Sequence, residues 1–256
     1  MRERDYERAI GVYKELAFFE ADAAKRAVFS YEVGEGYRLA KKYDLAIAAF
    51  SSVLESEGAG PALVQRAYLQ LAAVSLAMKV PTQVPLYLDR VTGPEFAPIA
   101  HVLRGSAAAQ QAHWGEAHEQ FDRAAALATG ARIGSVAREF DASVANGPAT
   151  PWRSPWLAAG LSTVVPGAGQ VYTGHYVDAL QAFAFIGSFA LASYAAYRFE
   201  EREGGPYVLT GALVSVTALF HVANVVGAER TARYFNERSK ESVLGPLDTR
   251  LASLRF

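Results

Sequence analysis

The sequence predicts an all-α protein: a helical-repeat solenoid followed by a transmembrane helical hairpin, with a short re-entrant or third hydrophobic segment ahead of the hairpin. Three observations predict it. Charge is unevenly spread: residues 1–150 hold 16 Lys/Arg and 18 Asp/Glu, residues 154–197 hold one formal charge (Asp178), and residues 207–228 hold none. Apolar residues in the first half recur at helical rather than strand spacing. A pattern of small and aromatic residues in that half also repeats itself.

Averaged over its 256 residues the chain looks like an ordinary soluble protein, 51% hydrophobic, 20% charged and of net charge −1. The average hides two unlike halves. The near-equal balance of 25 basic and 26 acidic residues argues against a polyanion binder driven by bulk charge, so no nucleic-acid partner is expected. The absence of cysteine excludes disulfides, thiolate metal sites and cysteine nucleophiles. The stretch from Gly147 to Pro155 is rich in Pro and Gly, which break helices. It divides the chain into a repeat domain (1–146), a linker (147–154), a membrane domain (155–228) and an amphipathic tail (229–256).

The repeat is read from spacing. Tyr37, Tyr43, Ala46, Phe50 and Val53 follow Gly34 at offsets 3, 9, 12, 16 and 19. Ala108, Trp114, Ala117, Phe121 and Ala124 follow Gly105 at the same offsets, 71 residues later. A degenerate copy lies between them, with Ala72, Ser75, Pro81, Val84 and Leu88 in the same slots. Glycine and alanine let two helices approach closely, and the aromatics fill the space around the crossing. The spacing predicts helices over 3–19, 24–40, 44–57, 61–78, 82–91, 95–111, 114–128 and 131–145. Phe18, Phe19, Phe29 and Tyr31 are expected in the core between repeats. His113, Glu116 and His118 read as a solvated helix end, because their spacing is not that of a zinc-binding helix. This pattern resembles the tetratricopeptide repeat, which pairs antiparallel helices. The resemblance implies a groove for a protein partner. The chain opens on what looks like the second helix of a further repeat, so an export leader upstream is expected.

In the second half, Val177–Tyr197 and Tyr207–Ala228 each have the ~20 apolar residues that cross a hydrocarbon core of ~30 Å. The charged turn between them makes a hairpin. Ala184, Ser188, Ala192 and Ala196 on the first helix, with Gly211 and Ser215 on the second, form small-residue stripes expected to be its packing seam. Folded about Arg202, the hairpin sets Asp178 and Gln181 level with His221 and Asn224. This intramembrane polar cluster is expected to be a structural clasp or, alternatively, an ion site.

Ahead of the hairpin lies Pro166-Gly167-Ala168-Gly169-Gln170-Val171-Tyr172-Thr173-Gly174. It resembles the Pro-Gly-x-Gly-Gln-x-Tyr-x-Gly loop of small bacterial membrane domains. Ala223-Asn224-Val225-Val226-Gly227-Ala228, followed by Ala232, Tyr234 and Asn236, extends the similarity. Members of that group also carry tetratricopeptide-like repeats, but the resemblance supplies no activity. Neither a catalytic constellation nor a cofactor motif is present in the sequence, so no catalytic, cofactor or metal residues are assigned.

The expected function is a membrane-anchored adaptor or scaffold that binds a partner protein at the bacterial envelope, with the lipid bilayer as second partner and an oligomer allowed. The alternative is a small transport or channel subunit using the polar cluster. Arg230, Arg233, Arg238 and Lys240 predict a cytoplasmic tail by the positive-inside bias. The repeats are expected in the periplasm, with 155–168 crossing the inner membrane, the arrangement an export leader favours; the alternative, in which 155–168 does not cross, leaves them in the cytoplasm.

Overall fold

The computed structural model describes residues 3–254, and the side chains of all of these except 3, 4 and 131. The described residues contain no strand. Among the described residues twelve α-helices follow one another: α1 (Glu3–Phe19), α2 (Ala23–Leu39), α3 (Tyr43–Leu54), α4 (Pro61–Ala77), α5 (Val84–Leu88), α6 (Ala97–Gln110), α7 (Trp114–Leu127), α8 (Ala131–Val144), α9 (Pro155–Val164), α10 (Ala168–Tyr172), α11 (Tyr176–Glu203) and α12 (Val208–Ala252). They form two compact units: residues 1–149 with 242–256, and residues 150–241.

In the first unit each helix from α1 to α4, and again from α6 to α8, packs on the next in the chain. The sequence spacing becomes geometry here. A Cβ placed on Gly34 would lie 2.6 Å from the Phe50 ring, and one on Gly105 would lie 2.6 Å from the Phe121 ring. Each glycine is therefore the floor on which an aromatic ring sits. Ala46, Val84 and Ala117 at one offset, and Phe50, Leu88 and Phe121 at another, are all sealed from solvent. Tyr37 and Ala108 are buried as well, while Tyr43 and Trp114 pack half-buried against the core.

The connecting turns repeat too. Lys41, Lys79 and Ala112 occupy the same slot and have positive φ of 59°, 60° and 60°. The next residue closes each turn by donating to a carbonyl five residues back: Lys42 to Tyr37, Val80 to Ser75 and His113 to Ala108, each at 2.9 Å. These bonds satisfy carbonyls that a helix end otherwise leaves without partners. The middle copy thus keeps the turn although its signature residues have drifted.

The structure corrects two expectations in this unit. Tyr31 is buried against Phe50 and Phe29 is half-buried, but Phe18 and Phe19 are 81% and 75% exposed. They sit on the last turn of α1 and touch each other edge to face at 5.0 Å. The expected tail 229–256 is also divided between the two units at residue 242. Leu244, Leu247, Leu251 and Leu254 are buried in the same core as Leu76, Val102, Leu103, Val136 and Phe140. Residues 242–254 therefore belong to the repeat unit, and residues 255 and 256 of the expected tail lie outside the described residues. The physical reason is the leucine spacing of 3, 4 and 3, which lines one helical face for burial in protein.

In the second unit α11 and α12 form the hairpin. Gly204 (φ 66°) ends α11, and the Glu200 carboxylate caps the start of α12 by accepting from Leu209 N, Thr210 N and the Thr210 hydroxyl. Ring contacts set the register: Phe185 to Phe220 at 4.7 Å and Tyr197 to Tyr207 at 5.7 Å. Both helices are long and apolar enough to cross a membrane.

Of the small-residue stripe, the seam keeps only Ala196. Ile186, Ser193 and Ala196 are buried and Ser193 meets Thr217 at 3.4 Å, whereas Ala184, Ser188 and Ala192 face outward and Gly211 has open space at its Cβ position. Large side chains such as Phe185, Phe189 and Phe220 mediate the contact, so the two backbones have no need of the stripe. Ten-residue α9 is about 15 Å long at 1.5 Å per residue, and α10 packs back against it. Their junction turns at Gly167, whose φ of 88° disfavours a side chain.

Candidate functional site

The signature loop places its polar residues against the second span. Gln170 is 5% exposed and uses its whole side chain. Its carbonyl accepts from the Ser162 hydroxyl at 3.0 Å, and its amide donates to the Asn224 side chain at 2.9 Å and the Asn224 backbone carbonyl at 3.2 Å. The Ser162 oxygen in turn accepts from Gly169 N at 2.9 Å, and the Asn224 amide donates to Ser162 O at 3.5 Å. Three buried polar side chains from α9, α10 and α12 thus make a closed knot, which is the form in which polar groups tolerate burial.

The glycines explain why the loop can reach. A Cβ on Gly169 would lie 2.1 Å from the Ala158 carbonyl oxygen and 2.7 Å from the Ala228 methyl. Only glycine allows α10 so close to both. Ala158, Ala228 and Ala232 form the small apolar core beside it, with Tyr172 against them. The Tyr172 hydroxyl accepts from Ser154 N at 3.1 Å. The Thr173 hydroxyl bonds to Thr231 at 3.1 Å, and His175 N closes the turn on Gln170 O at 2.8 Å.

A second anchor lies at the start of the unit. The Arg153 guanidinium stands 5.0 Å from the Tyr172 ring centroid and 5.4 Å from that of Phe235. Asn236 accepts from Arg153 N at 2.7 Å and donates back to Arg153 O at 2.8 Å. Two aromatic faces around one cation form a cation–π arrangement.

The expected cluster of Asp178, Gln181, His221 and Asn224 is only partly assembled. Asn224 joins the knot and His221 meets Thr163 O at 3.1 Å. Asp178 and Gln181 are exposed on α11, lining a shallow outer groove with Phe185 and Ser188, and bond to neither. Height along the hairpin was legible from residue counting, but helical face was not: the partners of Asn224 come from the loop rather than from α11. The residues that sequence reading missed are Ser162, Arg153, Thr231 and Phe235. Ser162 was open to discovery as a small polar residue, beside Thr163, on a short apolar helix eight positions before Gln170.

In the repeat unit, His118 lies between Asp122, four residues on, and Asp141 of α8, with their ligand-type atoms within 4.8 Å of one another. The hydrogen bond to Asp141, and then the two carboxylate charges, raise the His118 pKa above its usual 6.5. Deeper in, Gln70 donates to Tyr31 at 3.0 Å and to Glu35 at 2.9 Å. Burial pushes the Tyr31 phenol up to about 12, which keeps it neutral. Comparison with protein-family models, curated proteins and solved structures finds no match to the chain.

Proposed function

We propose that the chain is a membrane-tethered helical-repeat adaptor, in which the repeat unit holds a partner protein and the α11–α12 hairpin holds the repeat unit at a bacterial envelope membrane. The observation that carries this reading is the contrast of surfaces. The hairpin exposes Leu180, Leu191, Val208, Leu219 and Val222 at 52% or more, the surface expected to face lipid rather than water. The repeat unit has a closed apolar core and carries most of the formal charge. The tetratricopeptide-like spacing and the recurrent turn support a protein-binding role.

Sidedness follows from the tail. Residues 242–254 are packed into the repeat unit, so the end of α12 and the repeats share one side of the bilayer. An even number of crossings lies between them. This supports two spans, with α9 and α10 as a re-entrant pair too short to cross. Arg230, Arg233, Arg238 and Lys240 follow the second span, which favours cytoplasmic repeats over the periplasmic side that an export leader would suggest.

The transport alternative draws no support from the knot. Every polar atom of the Gln170 side chain is used, and no acid joins it. Photocrosslinking in native membranes tests the adaptor reading, using the native chain and the Asp178→Asn and His221→Ala variants. The same partner captured through the repeat unit by all three chains supports an adaptor. Loss of a proteoliposome ion flux in the variants, with no partner captured by any chain, replaces it with the transport reading.

A further inference from the structure

The tail occupies a built seat. Arg38 of α2 is buried and donates to Ala252 O at 3.1 Å, at the end of the tail helix, and to Leu254 O at 2.7 Å, two residues beyond it. Lys79, at the α4 turn, pairs with Asp248. Gln110 at the end of α6 donates to Asp248 at 3.1 Å and to Leu76 O at 3.0 Å. The C-terminal ends of α2 and α6 and the turn after α4 thus supply a helix C-terminus receptor, two donors for an acid, and an apolar floor for leucines at spacing 3, 4 and 3. An arginine at free helix-end carbonyls satisfies both hydrogen bonding and the helix dipole.

The tail fills this seat incompletely. A cavity of about 330 Å³ remains beside it, lined by Arg38, Lys41, Tyr43 and Lys79 together with Thr249 and Ala252 of the tail. Elsewhere in the seat, the side-chain carbonyl of Gln110 is buried without a donor, although its amide holds Asp248. The tail also carries a weak point of its own: Pro246 lies inside α12 directly after Gly245, where it removes a helix hydrogen bond.

We propose that the tail is an internal competitor for this groove, and that the groove's exchangeable ligand is an amphipathic helix from the partner protein. That helix has the tail's leucine spacing, ends in free carbonyls over Arg38, and carries an acidic residue where the tail has Ala252, facing Lys41 and the cavity. The proposal rests on the adaptor reading and names its docking face and its regulation. A tethered tail competes at high effective concentration, so weakening it exposes the groove.

The test uses the full chain in nanodiscs and a fluorescent synthetic peptide of residues 240–254. The native chain binds the peptide weakly. Asp248→Lys, which sets a like charge against Lys79 in the internal tail only, tightens peptide binding at least tenfold. Adding Lys79→Glu restores the internal pair and returns binding to the weak level. A peptide carrying Ala252→Glu binds more tightly than the natural one. In the native chain, excess peptide speeds amide hydrogen exchange across residues 247–254, a readout that needs no variant. Equal peptide affinity in the native and Asp248→Lys chains, or unchanged exchange of the tail at saturating peptide, overturns the proposal. Competition between peptide and the crosslinked partner is scored separately: a partner that stays bound while the peptide displaces the tail removes this face from the adaptor reading, and leaves the exchangeable groove standing.

Discussion

The two units use opposite means to bring helices together. In the repeat unit, aromatic rings sit on glycines: Phe50 on Gly34 and Phe121 on Gly105. The contacts are apolar and fully buried, because in water the burial of such rings drives folding. In the second unit the buried apolar cluster beside the signature loop is three alanines with one tyrosine against them. Packing there relies on a close backbone approach at Gly169 and on the closed hydrogen bonds of Ser162, Gln170 and Asn224. Around the loop, small residues and polar contacts thus carry the association, the mode that serves where apolar burial does not drive it, while Phe185, Phe189 and Phe220 join α11 to α12. Glycine serves both units by opposite logic, as a socket for a ring in one and as clearance for a backbone in the other.

Breaking each means separately sharpens the contrast. The largest effect is expected from Phe121→Ala, which opens a cavity in the repeat core. It should cost about 3–5 kcal/mol by chemical denaturation, with the hairpin's helicity retained. Gln170→Ala should cost about 1–2 kcal/mol, read as a lower thermal midpoint of the second unit in detergent, because it strands Ser162 and Asn224. If Gln170→Ala proved as costly as Phe121→Ala, the two units would not differ in kind.

The smallest effect belongs to His118. Its raised pKa should appear as a midpoint above 6.5 in an NMR titration, and Asp141→Asn should bring it down. Because the folded value is raised, the pair contributes stability fully below the unfolded pKa of about 6.5, and loses it as pH rises through the folded value.

Sequence periodicity located the repeat helices closely, because a burial pattern at helical spacing is local information. The predicted span 24–40 corresponds to Ala23–Leu39, and 131–145 to Ala131–Val144. Predicted 82–91 shrank to Val84–Leu88, preceded by a short 3-10 turn at Pro81–Gln83, because Pro81 and Pro85 interrupt regular bonding. Residue counting along the hairpin matched the contact of Phe185 with Phe220. What counting could not give was azimuth. Asp178 and Asn224 share a height but not a face, and the seam took Ile186 and Ser193 while keeping only Ala196 of the small-residue stripe. Where the amphipathic tail docks was illegible for a related reason. Its leucine stripe announces burial, but a single sequence does not say whether lipid or a helix 200 residues away receives it.

The central claim is that a membrane hairpin tethers the repeat unit with both of its chain segments on one side. The chain has no native cysteine, so a single cysteine introduced at position 148 or 253 is unique. Labelling each in sealed inside-out vesicles with a membrane-impermeant maleimide reads the side directly. The account predicts that both positions label from the outside of such vesicles, which is the cytoplasmic face. Labelling of one position with protection of the other would require an odd number of crossings, and would contradict both the re-entrant α9–α10 pair and the tail's seat in the repeat unit.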